Sequence, residues 1–326
     1  MASHDSQNGL LPKSHKKSLN ELTSELSEVS KTLFIPLLGR AMADYSTHAF
    51  IDPLAQQIRQ DFSLDETIPL STQFREACIL RAKMFDDQVK LAFDKCHDKT
   101  PVLGVLGAGL CTRAQRLQQK IPLKHVFAMD FEPVIRLREN LFRSSKDGSN
   151  AYPVTHLAGS ILEENWAKSM TKKLSEQGFN PKENLMTVFT LEGVSMYLHE
   201  REMDQLVEIL RHYFGHPVLI FDAVGPFLVG RSYLFPAVAK TGSQFHFGIR
   251  RWQNWCQKHN ANLVSQFSLV TPTMKGHVSQ FFSALGMNEI GEQISKKEPN
   301  TLFGKIVDTW AQGPWSTIYT LGHVQI

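Results

Sequence analysis

Cysteine is scarce in this chain. Four occur in 326 residues, Cys78, Cys96, Cys111 and Cys256, and no two form a C-x-x-C pair. Neither a zinc site nor a disulfide framework is signalled, and no metal is expected. An excess of one charge sign is also missing. Lys and Arg total 35 against 32 Asp and Glu, a net charge of +3. That balance is too mild to point to nucleic acid as a partner. No apolar run approaches the ~18 residues that would span a membrane, so no membrane partner is expected. The opening stretch, MASHDSQNGLLPKSHKK, has no apolar signal core after its charges. A cytoplasmic address is the expectation. Internal repeats and low-complexity blocks are absent as well.

What the chain does have is 42% hydrophobic residues over a length that builds one large core. Residues 1–17 are polar and basic, and predict a disordered tail. Ser18 to Glu21 reads as a capping box. It opens an amphipathic helix with Leu19, Leu22, Leu26, Val29 and Leu33 on one stripe. Packing on the chain's own core is the expected use of that stripe; covering an active site or pairing with a second copy are the alternatives. Pro53 after Asp52 predicts the first position of a short helix. Thr72 to Phe93 predicts a long helix with Phe74, Cys78, Phe85, Val89 and Ala92 on its apolar face. Arg81 shares that face and needs an anionic partner there. An internal salt bridge and a clamp for a ligand carboxylate are the two readings.

The stretch PVLGVLGAGLCTRAQRL, residues 101–117, reads as a buried strand, a glycine turn and the start of a helix. Gly107 and Gly109 allow the backbone to turn sharply and approach a ligand. A second strand, His125 to Asp130, ends in an acid about twenty residues beyond the turn, the place from which a carboxylate reaches ribose hydroxyls. A weaker third strand covers 154–157, and its tip faces the base in nucleotide-binding sheets. The fourth covers 185–191 and ends in Glu192-Gly193, at the carboxyl edge where ligands bind. After an amphipathic helix over Glu200 to Phe214, a fifth strand covers 218–221 and ends in Asp222. This alternation predicts an α/β fold, a mostly parallel sheet with helices on both faces. Closing strands are expected at 263–270 and 316–323, with a helix near 278–285 between them.

A dinucleotide turn requires G-x-G-x-x-G, and counting from Gly107 the third position holds Thr112. S-adenosylmethionine suits the turn better. Arg81 would meet its carboxylate, the Gly107 region its methionyl part and Asp130 its ribose. LGAGLCTRAQRL resembles the signature of the leucine carboxyl methyltransferase superfamily. IDPLA (51–55), LRAKMFDD (80–87), FAMDFEPVI (127–135), LEGVSMYL (191–198) and FHFGIRRWQNW (245–255) match in order. The last is similar to the O-methyltransferase branch associated with polyketide biosynthesis. The resemblance covers roughly residues 36–260 and implies a class I S-adenosylmethionine-dependent methyltransferase fold with a Rossmann-like, seven-stranded, mostly parallel sheet. On that reading 18–100 is an N-terminal helical cap. Residues 101–326 are the cofactor-binding domain, with a substrate-covering elaboration around 224–315. The implied cofactor contacts are Arg81, Gly107, Ala108, Gly109, Asp130, Phe131, Ser160, Ile161 and Glu192. Two positions depart from the family pattern: its aspartate in the glycine turn is Cys111 here, and its acid after the third strand is Ser160.

The expected reaction is O-methylation of a small-molecule acid, such as a polyketide-like metabolite, at its carboxylate. A carboxylate is ionised at neutral pH and needs no base, whereas a hydroxyl needs one. Tyr197 and His246 are the candidates for a catalytic role, and Tyr197, Tyr233, Arg250 and Arg251 for holding the acceptor. Methylation of a protein C-terminal carboxylate, and binding of the cofactor or S-adenosylhomocysteine (SAH) with weak or no turnover, are the alternatives.

Overall fold

The structure, a computed structural model, describes residues 32–64, 72–95, 98–118, 120–144, 153–234, 236–239, 242–268 and 319–326, with Thr23, Leu26, Ser27 and Ser30 before them. The expected tail and the expected helix over 278–285 lie outside the described residues.

Seven strands form one sheet: β1 Thr100–Leu106, β2 His125–Asp130, β3 Thr155–Ala158, β4 Leu185–Leu191, β5 Val218–Val224, β6 Asn262–Ser268 and β7 Tyr319–Gln325. Their order across the sheet is β3-β2-β1-β4-β5-β7-β6. The first five run parallel, and β7 is antiparallel to both β5 and β6. This is the class I methyltransferase arrangement. The chain order reverses beside β1, which pairs with β2 on one side and β4 on the other. A crevice opens there at the carboxyl ends of the strands.

The helices are α1 Phe34–Ala41, α2 Tyr45–His48, α3 Pro53–Asp61, α4 Thr72–Asp94, α5 Arg113–Leu117, α6 Glu132–Ser144, α7 Asn165–Ser175, α8 Glu200–Phe214, α9 Pro236–Ala239 and α10 Trp252–Lys258. No helix among the described residues is long and apolar enough to cross a membrane. Strand side chains alternate between the two faces. Val102 and Leu106 join Phe189, Phe221, Trp166, Leu206 and Leu210 in one core. Leu103 and Val105 join Val188, Ile220, Phe85 and Val89 in the other. Phe85 and Val89 are fully buried, each contributing about 1.5–3 kcal/mol through removal of apolar surface from water. A third core joins Phe34, Leu37, Leu38, Ala55 and Ile58 to Leu110, Val134, Leu137 and Leu141, packing the N-terminal helices onto the glycine turn and α6.

Several local expectations are met. Asp52 caps α3, its Oδ1 accepting from Ala55 N at 3.1 Å, with Pro53 at the first helical position. Helix α8 has the predicted bounds and buries Met203, Leu206, Val207 and Leu210. Two expectations change. Strand β5 runs to Val224, so Asp222 lies inside it, fully buried. The helix expected from Ser18 to Leu33 is not continuous. Leu26 and Ser27 are non-helical, and Ser27 Oγ accepts from Ser30 N at 3.1 Å. A serine oxygen offered to a nearby N–H competes with the helical ladder. The rest of that stripe, Leu19, Leu22 and Val29, lies outside the described residues.

Candidate active site

The turn after β1 is held from all sides. Gly107 and Gly109 have φ of +61° and +46°, a region open to glycine at little cost. A Cβ on Gly107 would also lie 2.5 Å from Val194 Cγ2, so the turn and the loop after β4 touch. Ala108 N donates to Met129 O (2.9 Å), Gly109 N to Asp130 Oδ2 (2.7 Å) and Cys111 N to Ala108 O (2.8 Å). Two buried guanidinium groups take the carbonyls: Arg138 Nη1 donates to Gly109 O (3.1 Å) and Arg40 Nη2 to Leu110 O (2.8 Å). Phosphate-binding turns offer a nest of N–H groups to the anion. Here three of them are engaged within the protein, which agrees with a ligand lacking a diphosphate.

Behind the turn runs a chain of alternating charges, buried or nearly so. Arg40 Nε meets Asp52 Oδ2 at 2.9 Å, and Arg116 Nη1 meets the same oxygen at 2.8 Å. Arg116 Nε and Arg113 Nε reach the two oxygens of Asp86 at 2.7 and 2.8 Å. Arg113 Nη2 and Arg81 Nε reach the two oxygens of Glu192 at 2.7 and 2.9 Å. Arg81 Nη1 lies 4.0 Å from Asp222 Oδ2. Four arginines thus alternate with four carboxylates, from the N-terminal helices to the tips of β4 and β5. Burial by itself would raise the Glu192 carboxyl; Arg81 and Arg113, with Arg40 behind them, outweigh it and hold the group far below the usual carboxylate range. Asp52 follows the same pattern, with burial opposed by Arg116 and Arg40.

A cavity of about 550 Å³ opens in front of this chain. Its charged end is lined by Arg40, Arg81, Arg113, Glu192 and the glycine turn, and Ser30, Thr32 and Leu33 are also in the lining. Asp130 stands at the tip of β2, its carboxylate accepting from Gly109 N and Phe131 N at 2.7 Å each. Burial raises its pKa, and the two N–H groups offset part of the rise. Each oxygen still has a lone pair for a hydroxyl donor. Phe131, 59% exposed, forms the mouth beside Ser160 and Ile161. Ser160 Oγ accepts from Leu162 N at 3.2 Å, closing the turn after β3. The far end of the cavity is apolar, with Met196, Leu198, Val224, Leu228, Val238 and Phe245 around Tyr197. Among the described residues no group of three or more His, Cys, Asp and Glu is placed to hold a metal ion.

A family model described as leucine carboxyl methyltransferase matches residues 32–211, more than half of the chain. The chain belongs to this family. By that description it is a methyltransferase family, as the motifs predict. Tetracenomycin polyketide synthesis O-methyltransferase TcmP of Streptomyces glaucescens is 24% identical over 232 residues, covering 70% of this chain and 77% of that protein. Solved structures of similar outline include a geranyl diphosphate methyltransferase (TM-score 0.44, 11% identity, 75% of this chain and 77% of that one). Another is magnesium protoporphyrin IX methyltransferase of Synechocystis PCC 6803 (TM-score 0.42, 9% identity, 65% and 85%). At these scores the structural likeness says nothing of substrate.

The residues of this leucine carboxyl methyltransferase family member fit the cofactor's chemistry. Alternating arginine and carboxylate groups suit a zwitterionic amino-acid head, and a carboxylate at the tip of β2 suits a ribose diol. Arg81, Gly107, Ala108, Gly109, Asp130, Phe131, Ser160, Ile161 and Glu192 all line the one cavity, and so does Tyr197. Arg81 is at the same time an internal ion-pair partner of Glu192. Four candidates are not among the lining residues. Tyr233 is 65% exposed. His246 is exposed and stacks on His199 at 4.2 Å between centroids, its N–H donating to Met196 O. Arg250 is exposed, and Arg251, also exposed, is the N-cap of α10. The stretch 224–260 that holds them is rich in aromatic residues, and it divides: Phe245 lines the cavity while Phe247, Trp252 and Trp255 fill the sheet's core. The residues missed from the sequence are Arg40, Asp86, Arg113 and Asp222. Arg113 and Asp86 lie inside the matched motifs, which was the available signal.

Proposed function

We propose that this protein transfers a methyl group from S-adenosylmethionine to the carboxylate of a small, largely apolar acid, with polyketide-like metabolites in that class. The observation that carries the reading is the state of the ionisable groups lining the cavity. Glu192 is locked by two arginines, and Asp130 accepts from two backbone N–H groups. Burial raises the Tyr197 hydroxyl, so it stays protonated at neutral pH, a donor and a poor base. An acceptor that arrives already ionised suits this set, because its oxygen needs no proton removed.

When bound, S-adenosylmethionine supplies a methyl group on a sulfonium. Arg81 and Glu192 hold the amino-acid head, Asp130 the ribose, and the segment around Phe131, Ser160 and Ile161 the adenine. Met196, Leu228, Val238 and Phe245 strip water from the acceptor, and Tyr197 donates to its carboxylate. Orientation of the two reactants in line is then the main contribution of the protein.

Incubation with methyl-labelled S-adenosylmethionine and a cell extract tests the reading. Label in small molecules that mild alkali releases as methanol is the expected result. Alkali-stable label would replace the ester with an ether. Label confined to a protein C-terminus would move the acceptor to a macromolecule. A protein that binds the cofactor and labels nothing in an acid library would be a binding protein instead.

A further inference from the structure

We infer that Asp222 is a positioning residue that sets the cofactor arginine and the acceptor wall from one point. The inference rests on the methyl-transfer reading above. Asp222 is fully buried inside β5 and reaches in two directions. Its Oδ1 accepts from Gly193 N at 2.8 Å, fixing the backbone next to Glu192. Its Oδ2 lies 4.0 Å from Arg81 Nη1, and Arg81 lies against Gly193: a Cβ built there would be 3.3 Å from the same nitrogen. Its main-chain carbonyl accepts from Ser195 Oγ, a buried hydroxyl at the start of the 3-10 turn Ser195–Tyr197. That turn carries Met196 and Tyr197 into the apolar end of the cavity.

The loop from Gly193 to Leu198 is therefore tied to Asp222 at two points, Gly193 and Ser195. The carboxylate holds the cofactor end, and the carbonyl holds the acceptor end. An unpaired carboxylate buried inside the sheet would be costly. The two bonds can be separated. Ser195→Ala breaks only the acceptor-side bond. Asp222→Asn keeps an oxygen for Gly193 N while removing the charge. Asp222→Ala removes both carboxylate contacts.

The test uses the full chain, SAH titrated by calorimetry, and amide hydrogen exchange across residues 193–198, with folding checked by thermal melts. Asp222→Ala is expected to weaken SAH binding about tenfold, the scale of one charged hydrogen bond, and to speed exchange across the loop. Asp222→Asn is expected to restore slow exchange, because it keeps the acceptor for Gly193 N, and to bind SAH more weakly than the unaltered protein, because the charge facing Arg81 is gone. Ser195→Ala is expected to speed exchange at 195–198 with SAH affinity unchanged. A folded Asp222→Ala protein with unaltered SAH affinity would overturn the inference. So would an Asn variant whose loop exchanges as fast as that of the Ala variant or whose SAH affinity is unaltered, or a Ser195→Ala protein that loses SAH affinity. Failure of the unaltered protein to bind SAH would instead sink the methyl-transfer reading.

Discussion

Arg113 Nη2 and Glu192 Oε2 meet at 2.7 Å, joining the helix after the glycine turn to the tip of β4. Arg113 is fully buried and also holds Asp86 at 2.8 Å. Arg113→Ala leaves two largely buried carboxylates each short of one partner. Breaking one side of a buried pair costs about 3–5 kcal/mol. Urea unfolding is the measurement, and a midpoint unchanged from the unaltered protein would show that the pair contributes nothing net.

Arg81→Ala should behave differently. Glu192 keeps Arg113 in that variant, so the fold loses less than with Arg113→Ala. On the proposed cofactor placement Arg81 faces the ligand's carboxylate, so SAH affinity should fall at least tenfold; a charge-assisted hydrogen bond is worth about 1.5–3 kcal/mol. Calorimetry on the folded variant decides it, and full affinity would remove Arg81 from the cofactor site.

Gly107→Ala combines two faults, a left-handed φ of +61° and a Cβ 2.5 Å from Val194 Cγ2. A loss of about 1–3 kcal/mol in stability is expected from the backbone strain, with weaker SAH binding as the loop after β4 is pushed away. Adding Val194→Ala should recover the steric part only. Complete recovery in the double variant would show that the backbone conformation costs nothing.

His323 supplies a pH dependence. It is buried in β7, its Nδ1 3.2 Å from Gln88 Oε1. Burial, with Lys95 adding to it, lowers the imidazole to about 4. The unfolded chain takes up that proton near pH 6.5, so between about 6.5 and 4 the unfolded state holds more protons and stability falls as pH is lowered. The fall attributable to this group is up to about 3 kcal/mol. Urea midpoints from pH 7 to 4.5 should show the slope, and His323→Gln should flatten it. An equal slope in both proteins would place the titration elsewhere.

The charged end of the cavity was legible because its signals are local. A strand's apolar run, a glycine pair and an acid at a strand end each sit within a few residues, so Gly107, Asp130 and Glu192 could be placed at one sheet edge by counting strands. The apolar end was not. His246 and Phe245 are neighbours in sequence, yet one is exposed and the other lines the cavity, because extended backbone sends successive side chains opposite ways. Tyr233, Arg250 and Arg251 have chemistry suited to holding an acid, but chemistry alone does not say which way a loop faces.

The sequence by itself determined the order of strands and helices, the glycine turn that refuses a dinucleotide, and the charge balance of the chain as a whole. Only the tertiary structure decided how those charges meet. Arg116 finds Asp52 across 64 residues, and Arg81 finds Glu192 across 111. Periodicity and capping are properties of neighbouring residues, whereas a buried ion pair exists only once packing has excluded water from both partners. That is why the balanced composition read as unremarkable in the sequence and became, in the fold, the wall of the site.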